Sequence, residues 1–100
     1  MQAPPKPIKG KYLKLGRSFV TGLILSEFDR IWEETGIQPW LGFDYFAEEF
    51  NVRFDSYMDA IRSLLDRKLL IIDTKPKNAT DAIVLYSIDR QLLHQKLEEV

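Results

Sequence analysis

The spacing of apolar residues between Phe43 and Ile72 constrains the fold of this chain more than any other feature. Phe43, Phe46 and Phe50 recur at the three- and four-residue intervals of an α-helix, and two glutamates lie on the opposite side. Asp44 is the candidate N-cap, because its carboxylate can accept a free backbone N–H of the first turn. We therefore expect a short amphipathic helix here.

A second helix follows after a brief interruption at Asn51 and Val52, where Asn tolerates turn geometry. Its stripe is formed by Tyr57, Ile61 and Leu64, and the following run Leu69–Ile72 is typical of a buried strand. Two helices joined by a turn of three or four residues form a helix-turn-helix outline.

The stretch resembles the winged helix-turn-helix family. The resemblance is carried by residues of the two helices, the turn and the strand entry: Phe46, Ala47, Val52, Ala60, Ile61, Leu64 and Arg67-Lys68-Leu69-Leu70. Lys68 stands where the family often has glycine. The resemblance implies an α+β fold with three core helices and a small antiparallel sheet that forms a wing hairpin, to which this chain adds a C-terminal helix at about 89–100.

The remaining pattern predicts further elements around this unit. Ser18–Thr35 contains one broad apolar face and predicts the first core helix. We expect its firm part to run from about Glu27 to Glu34, with a Ser26/Asp29 capping box, and the turn before it to be either helical or a loop. Gly36 ends the helix. We expect the segment 37–41 to form a short strand. Its proline predicts that this strand lies at the edge of the sheet. Residues 70–73 and 82–88 predict a hairpin.

Length and composition indicate one globular domain. The chain has 100 residues, 45% of them hydrophobic, and no cysteine. An apolar run of membrane-spanning length is absent from the sequence, as is a secretory signal, so we expect no membrane association and a cytoplasmic location.

The sequence favours a protein that is not an enzyme and needs no cofactor or metal. The single histidine, His94, has no serine or carboxylate patterned around it as in a catalytic triad, and we expect it to face solvent. No glycine-rich nucleotide loop or zinc-protease motif is present.

Charge is distributed unevenly along the chain. Residues 1–25 contain five basic and no acidic residues, whereas the remainder contains nine basic and fifteen acidic residues. We expect residues 1–10 to form a flexible, proline-rich basic arm and Tyr12–Leu15 to form a short strand. A basic arm before an acidic body is suited to contacting phosphates or a second copy of the chain.

The predicted second helix, Arg53–Lys68, is the candidate recognition helix for the major groove of DNA. We expect Arg53, Ser56 and Arg62 to read the groove. Basic residues of the arm and the wing would hold the backbone: Lys9, Lys11, Lys14, Arg17, Lys75 and Lys77.

The overall layout is similar to N-terminal domains of phage and plasmid replication-initiator, or replisome-organiser, proteins. That resemblance implies binding of double-stranded origin DNA and dimerisation, with further contacts to protein partners in a replication complex. A transcription regulator of similar origin would share the same pattern.

An alternative hypothesis is a winged-helix module that binds protein. Asp55 and Asp59 lie one turn apart on the exposed face of the second helix and would approach a polyanion. Beside them, Phe54 and Met58 are able to form an apolar ledge, which is typical of a partner-binding surface.

The terminal helix offers a third possibility, oligomerisation. Asp89 is its candidate cap, and Leu93, Leu97 and Val100 follow at helical spacing to the last residue. These three side chains are the candidate seam of a homodimer.

Overall fold

The computed structural model describes residues 10–73 and 84–100 as an α+β fold of five helices and a two-stranded antiparallel sheet. The elements are α1 (Gly10–Gly16), α2 (Phe19–Thr35), α3 (Phe43–Phe50), α4 (Phe54–Asp66), β1 (Leu70–Ile72), β2 (Tyr86–Ile88) and α5 (Arg90–Glu98). The predicted fold class is confirmed at this level. The predicted arm lies outside the described residues, except for Gly10, which begins α1.

The strand predicted over Tyr12–Leu15 is wrong, because these residues belong to α1. Tyr12 and Leu15 are buried while the lysines between and before them are exposed, which is the three-residue spacing of a helix. Helix α1 packs tightly on α2. A Cβ at Gly22 would lie 2.9 Å from Leu13 Cδ2, so glycine is needed for this approach.

Helix α2 is continuous from Phe19 to Thr35, so the predicted core helix is confirmed and the part before Glu27 is helical. Ser18 is its cap and accepts a hydrogen bond from the Thr21 amide at 3.2 Å. The predicted Ser26/Asp29 capping box is wrong, since both residues lie inside the helix. The predicted ending is confirmed: Gly36 takes the left-handed conformation with φ 70°.

Helices α3 and α4 are joined by a short turn, as predicted. Asn51 ends α3 in the left-handed conformation with φ 55°, and Arg53 precedes α4. The α3 cap is Gly42 and not Asp44, which lies in the first turn. In this position the negative charge of Asp44 interacts favourably with the positive end of the helix dipole.

The hairpin prediction is confirmed in its paired part. Leu70 pairs with Ile88 and Ile72 with Tyr86, while residues 74–83 of the connection between the strands lie outside the described residues. The edge strand predicted at 37–41 is reduced to one bridge, in which Leu41 and Tyr86 exchange backbone hydrogen bonds of 2.8 and 2.9 Å. The bridge places Leu41 on the side of β2 opposite β1.

Helix α5 packs on the core of its own chain. Asp89 is its cap, as predicted, and accepts from the Leu92 amide at 3.0 Å. The core also draws fully buried side chains from α2, α3 and α4, including Phe28, Phe46 and Leu64.

Candidate nucleic-acid interface

The first turn of α4 presents the residues predicted to contact a partner. Arg53 stands at the N-cap position without a side-chain capping bond, and Phe54 is 60% exposed. The Phe54 ring lies edge-on to Phe43, with centroids 5.1 Å apart. This contact holds the ring at the surface, where it can meet another molecule.

Arg53, the residue before α4, and Arg62, within it, each lie beside an aspartate of this helix. Arg53 Nη2 is 3.5 Å from Asp55 Oδ2, and Arg62 Nη1 is 3.9 Å from Asp59 Oδ1. Because all four side chains are largely exposed, such pairs contribute little and the arginines remain able to exchange partners.

Two of the predicted α4 residues are less accessible than expected. Ser56 is half-buried, and its amide donates to Asp55 Oδ1 at 2.9 Å. Met58 is also half-buried and packs against the core. Phe54 is therefore the more exposed of the two residues in the predicted apolar ledge.

Three bases predicted to hold the DNA backbone lie on α1 or directly after it, and α1 meets the C-terminal end of α4. Lys11 and Lys14 are on the exposed face of α1, and Arg17 follows it. Arg67, just after α4, donates from Nη2 to the carbonyl oxygen of Leu15 and so joins α4 to α1. Since α4 has 13 residues, its two ends are about 20 Å apart.

Three predicted backbone contacts, Lys9, Lys75 and Lys77, lie outside the described residues. The structure therefore brings the α4 side chains together and brings Lys11, Lys14 and Arg17 together, but it separates the two sets.

The three residues of the predicted dimer seam differ in how far they are exposed. Leu93 is completely buried in the core of its own chain, so it does not offer a surface to a second copy, and this part of the prediction is wrong. Leu97 is partly buried against the same core, and Val100 is 47% exposed.

A buried polar cluster around Asp29 was not predicted. Asp29 Oδ1 lies 2.9 Å from Arg90 Nε and 2.9 Å from His94 Nε2, and the Tyr12 hydroxyl donates to Oδ2. His94 is exposed, as expected, with a side chain that is 49% accessible, and its ring also contacts this carboxylate. The cluster joins α1, α2 and α5.

The local environment stabilises the charged form of Asp29. Burial raises the pKa of the carboxyl, but hydrogen bonds from Tyr12, His94 and Arg90 outweigh burial and hold the pKa of Asp29 below its usual value. Burial, with a hydrogen bond to Asp29, raises the pKa of Tyr12. These groups stabilise one another and contain no activated nucleophile.

A signal for the cluster was present in the sequence. Asp29 occurs four residues after Leu25 and directly after Phe28, on the apolar face of α2. A carboxylate at such a position requires hydrogen-bonding partners, although their identities depend on how α1 and α5 dock.

A second polar group joins α2 to α3. Glu27, which is 6% exposed, accepts from the Tyr45 hydroxyl at 2.6 Å and is paired with Arg30. Burial and this hydrogen bond raise the pKa of Tyr45. The group is satisfied within the chain, which indicates a structural role.

An open groove of about 370 Å³ lies between α2, the sheet and α5, and its lining includes Trp32, Ile71 and Ile88. The Arg90 guanidinium lies 5.7 Å from the centre of the Trp32 ring, within range of a cation–π contact. Both charged side chains that line the groove are already engaged, Arg90 in the Asp29 cluster and Asp89 in the α5 cap.

Comparison of the chain with family models, with curated proteins and with solved structures finds no match. Among residues 10–73 and 84–100, no helix combines the length and apolar character needed to cross a membrane. The same residues contain no group of three histidine, aspartate or glutamate side chains able to hold a metal ion.

Proposed function

We propose that the chain is a winged-helix domain that binds double-stranded DNA, acting as a dimer in the cytoplasm in replication initiation or transcriptional regulation. The observation that carries the proposal is the exposed first turn of α4, which directly follows the turn from α3. Its left-handed Asn51 turn and the hairpin that follows match the layout that the winged-helix resemblance implies.

The sheet gives further support for a winged layout. Leu41 bridges β2 opposite β1, so a short segment before α3 and the two strands after α4 lie side by side. In this arrangement α4 contacts β1, and its first turn stays at the surface. The wing lysines Lys75 and Lys77 belong to the connection between β1 and β2.

In the proposed complex, Arg53, Ser56 and Arg62 contact the major groove, and the basic residues of the arm and wing contact phosphates. The weak surface pairs with Asp55 and Asp59 would be exchanged for base edges at small cost.

Selection of duplexes from a random pool tests this proposal. The wild-type chain should enrich a consensus site. Arg53→Gln should relax the preference at one position by about 1–3 kcal/mol. Lys96→Gln, on α5, removes one charge from outside the proposed interface and should leave the consensus unchanged. A pool that shows no enrichment would remove the groove-reading proposal.

The 60% exposure of Phe54 favours a second candidate, a protein-binding surface formed by Phe54, Asp55, Met58 and Asp59. Joint replacement Asp55→Asn and Asp59→Asn separates the two. It should strengthen DNA binding if α4 meets phosphate or bases, and weaken partner binding if the acids contact a protein.

A further inference from the structure

The corner where α1 meets α2 carries an exposed aromatic ring among basic side chains. Phe19, the first residue of α2, is 65% exposed, and Arg17 lies two residues before it. Lys14 occupies the exposed face of the last turn of α1. With Lys11 and Arg67, these residues define the α1–α2 corner.

Among residues 10–73 and 84–100, no carboxylate forms an ion pair with a basic side chain of this corner. In the described ranges, Arg30 and Arg90 are paired with buried or half-buried carboxylates, and Arg53 and Arg62 with aspartates of α4. Neither guanidinium of the corner forms an ion pair with a carboxylate of those ranges. The corner therefore attracts anions more strongly than the mixed surface of α4 does.

Arg67 adds a charge that is held in place and partly removed from water. Its Nη2 donates to the Leu15 carbonyl, and its Nη1 is buried without a hydrogen-bond partner. Burial and the nearby charge of Arg17 lower the pKa of Arg67. An anion bound at the corner would offset this repulsion.

The backbones of α1 and α2 come into close contact at this corner. A Cβ at Gly16 would lie 2.6 Å from the Gly22 nitrogen, so the two helices approach each other through glycines. This contact brings Arg17, which follows α1, and Phe19, which begins α2, to the same corner.

We propose that the α1–α2 corner binds a single strand of nucleic acid, with its phosphates against the basic side chains and one base stacked on Phe19. An exposed ring stacks on bases whose faces are free, as in a single strand, and basic residues beside it follow the backbone. Bases inside a duplex already stack on their neighbours, so a duplex makes no use of the ring.

A membrane surface fits this corner less well. Binding in the plane of a membrane requires the apolar face of an amphipathic helix. The apolar side chains of α1, Tyr12 and Leu15, are buried in the chain's own core and are not available for insertion.

Fluorescence anisotropy of labelled oligothymidylate with the full chain tests the inference. Phe19→Ala should weaken single-strand binding by about 5- to 150-fold, the range for loss of one stacked base, and Phe19→Trp should preserve it. Ile37→Ala is the control, because it removes an apolar side chain that is 71% exposed and belongs to neither proposed binding surface. It should have no effect on the single strand.

Arg17→Gly tests the charge without endangering the fold. Arg17 has φ 69°, which glycine adopts more readily, so this change removes the guanidinium and eases the backbone. The slope of log affinity against log salt should become shallower by about 0.7, the value for one phosphate of a single strand.

Three results would overturn the inference: equal effects of Phe19→Ala and Ile37→Ala, an unchanged salt slope in Arg17→Gly, or vesicles of anionic lipid binding the chain where oligothymidylate does not. The inference is independent of duplex reading. If no variant binds duplex DNA, the proposed function is rejected. If Phe19→Ala also loses single-strand binding, the inference about the corner is still supported.

Discussion

Asp29 on α2 and Arg90 on α5 form a buried ion pair, with Arg90 Nε 2.9 Å from Asp29 Oδ1. The Asp29 side chain is 10% exposed and that of Arg90 is 25% exposed, so the pair is largely shielded from solvent. It joins the terminal helix to the centre of the fold.

Replacing Asp29 with Asn should destabilise the chain, because it leaves the buried Arg90 and the Tyr12 hydroxyl without their charged acceptor. We expect the free energy of unfolding to fall by about 1–3 kcal/mol. Urea unfolding followed by circular dichroism measures the change. Asp55→Asn, at an exposed site, is the matched control and should shift stability by less than about 1 kcal/mol; equal effects would contradict a structural role for the cluster.

The same carboxylate predicts how stability depends on pH. Since the folded-state pKa of Asp29 is lowered from 3.8, its contribution is fully present above the unfolded pKa. It is lost as pH falls through the lower, folded pKa. Urea midpoints measured between pH 6 and pH 2 should therefore decline in the acid range, and less steeply in Asp29→Asn than in the wild-type chain. Parallel curves for the two would show that Asp29 is not the group responsible.

Replacing Gly22 with alanine should destabilise the chain, although Gly22 lies inside a helix. Alanine normally stabilises a helix interior by roughly 1 kcal/mol relative to glycine. At this position the added Cβ would come within 2.9 Å of Leu13, so we expect Gly22→Ala to lower the thermal midpoint. Gly10→Ala is the control, since a Cβ there meets nothing within 4 Å. A raised midpoint in Gly22→Ala would show that α1 does not pack on α2 in this way.

Leu93 should behave as a core residue. Leu93→Ala removes a fully buried side chain and should cost about 2–5 kcal/mol of unfolding free energy, independent of protein concentration. Val100→Ser, at the exposed end of the same stripe, should leave stability nearly unchanged. Sedimentation of the Val100 variant tests the dimer, and a dimer that dissociates on this change would assign Val100 to the seam.

The elements with a strong local signal were predicted from sequence. The α3–α4 stripes have clear helical periodicity, and the Asn51 turn, the Gly36 ending and the Asp89 cap each follow from one residue's conformational preference or side-chain chemistry. The hairpin pairing followed from its two β-rich runs. These features depend little on the rest of the chain.

Features that depend on tertiary packing were not predicted. Tyr12–Leu15 is short enough to suit either a strand or a helix, and docking on Gly22 decides for a helix. The burial of Leu93 and the pairing of His94 with Asp29 arise because α5 returns across α2. The separation of Arg17 from Arg53 likewise depends on which end of α4 meets α1.

The most direct test of DNA binding is a fluorescence-anisotropy titration of random-sequence duplex DNA, begun at low salt and repeated as salt is raised. The account predicts binding tighter than about 10⁻⁴ M at low salt, with affinity falling steeply as salt increases because counterions are released. Lys75→Ala with Lys77→Ala should make that dependence shallower. Binding weaker than about 10⁻⁴ M at the lowest salt would contradict the account and favour a protein partner at the Phe54 surface.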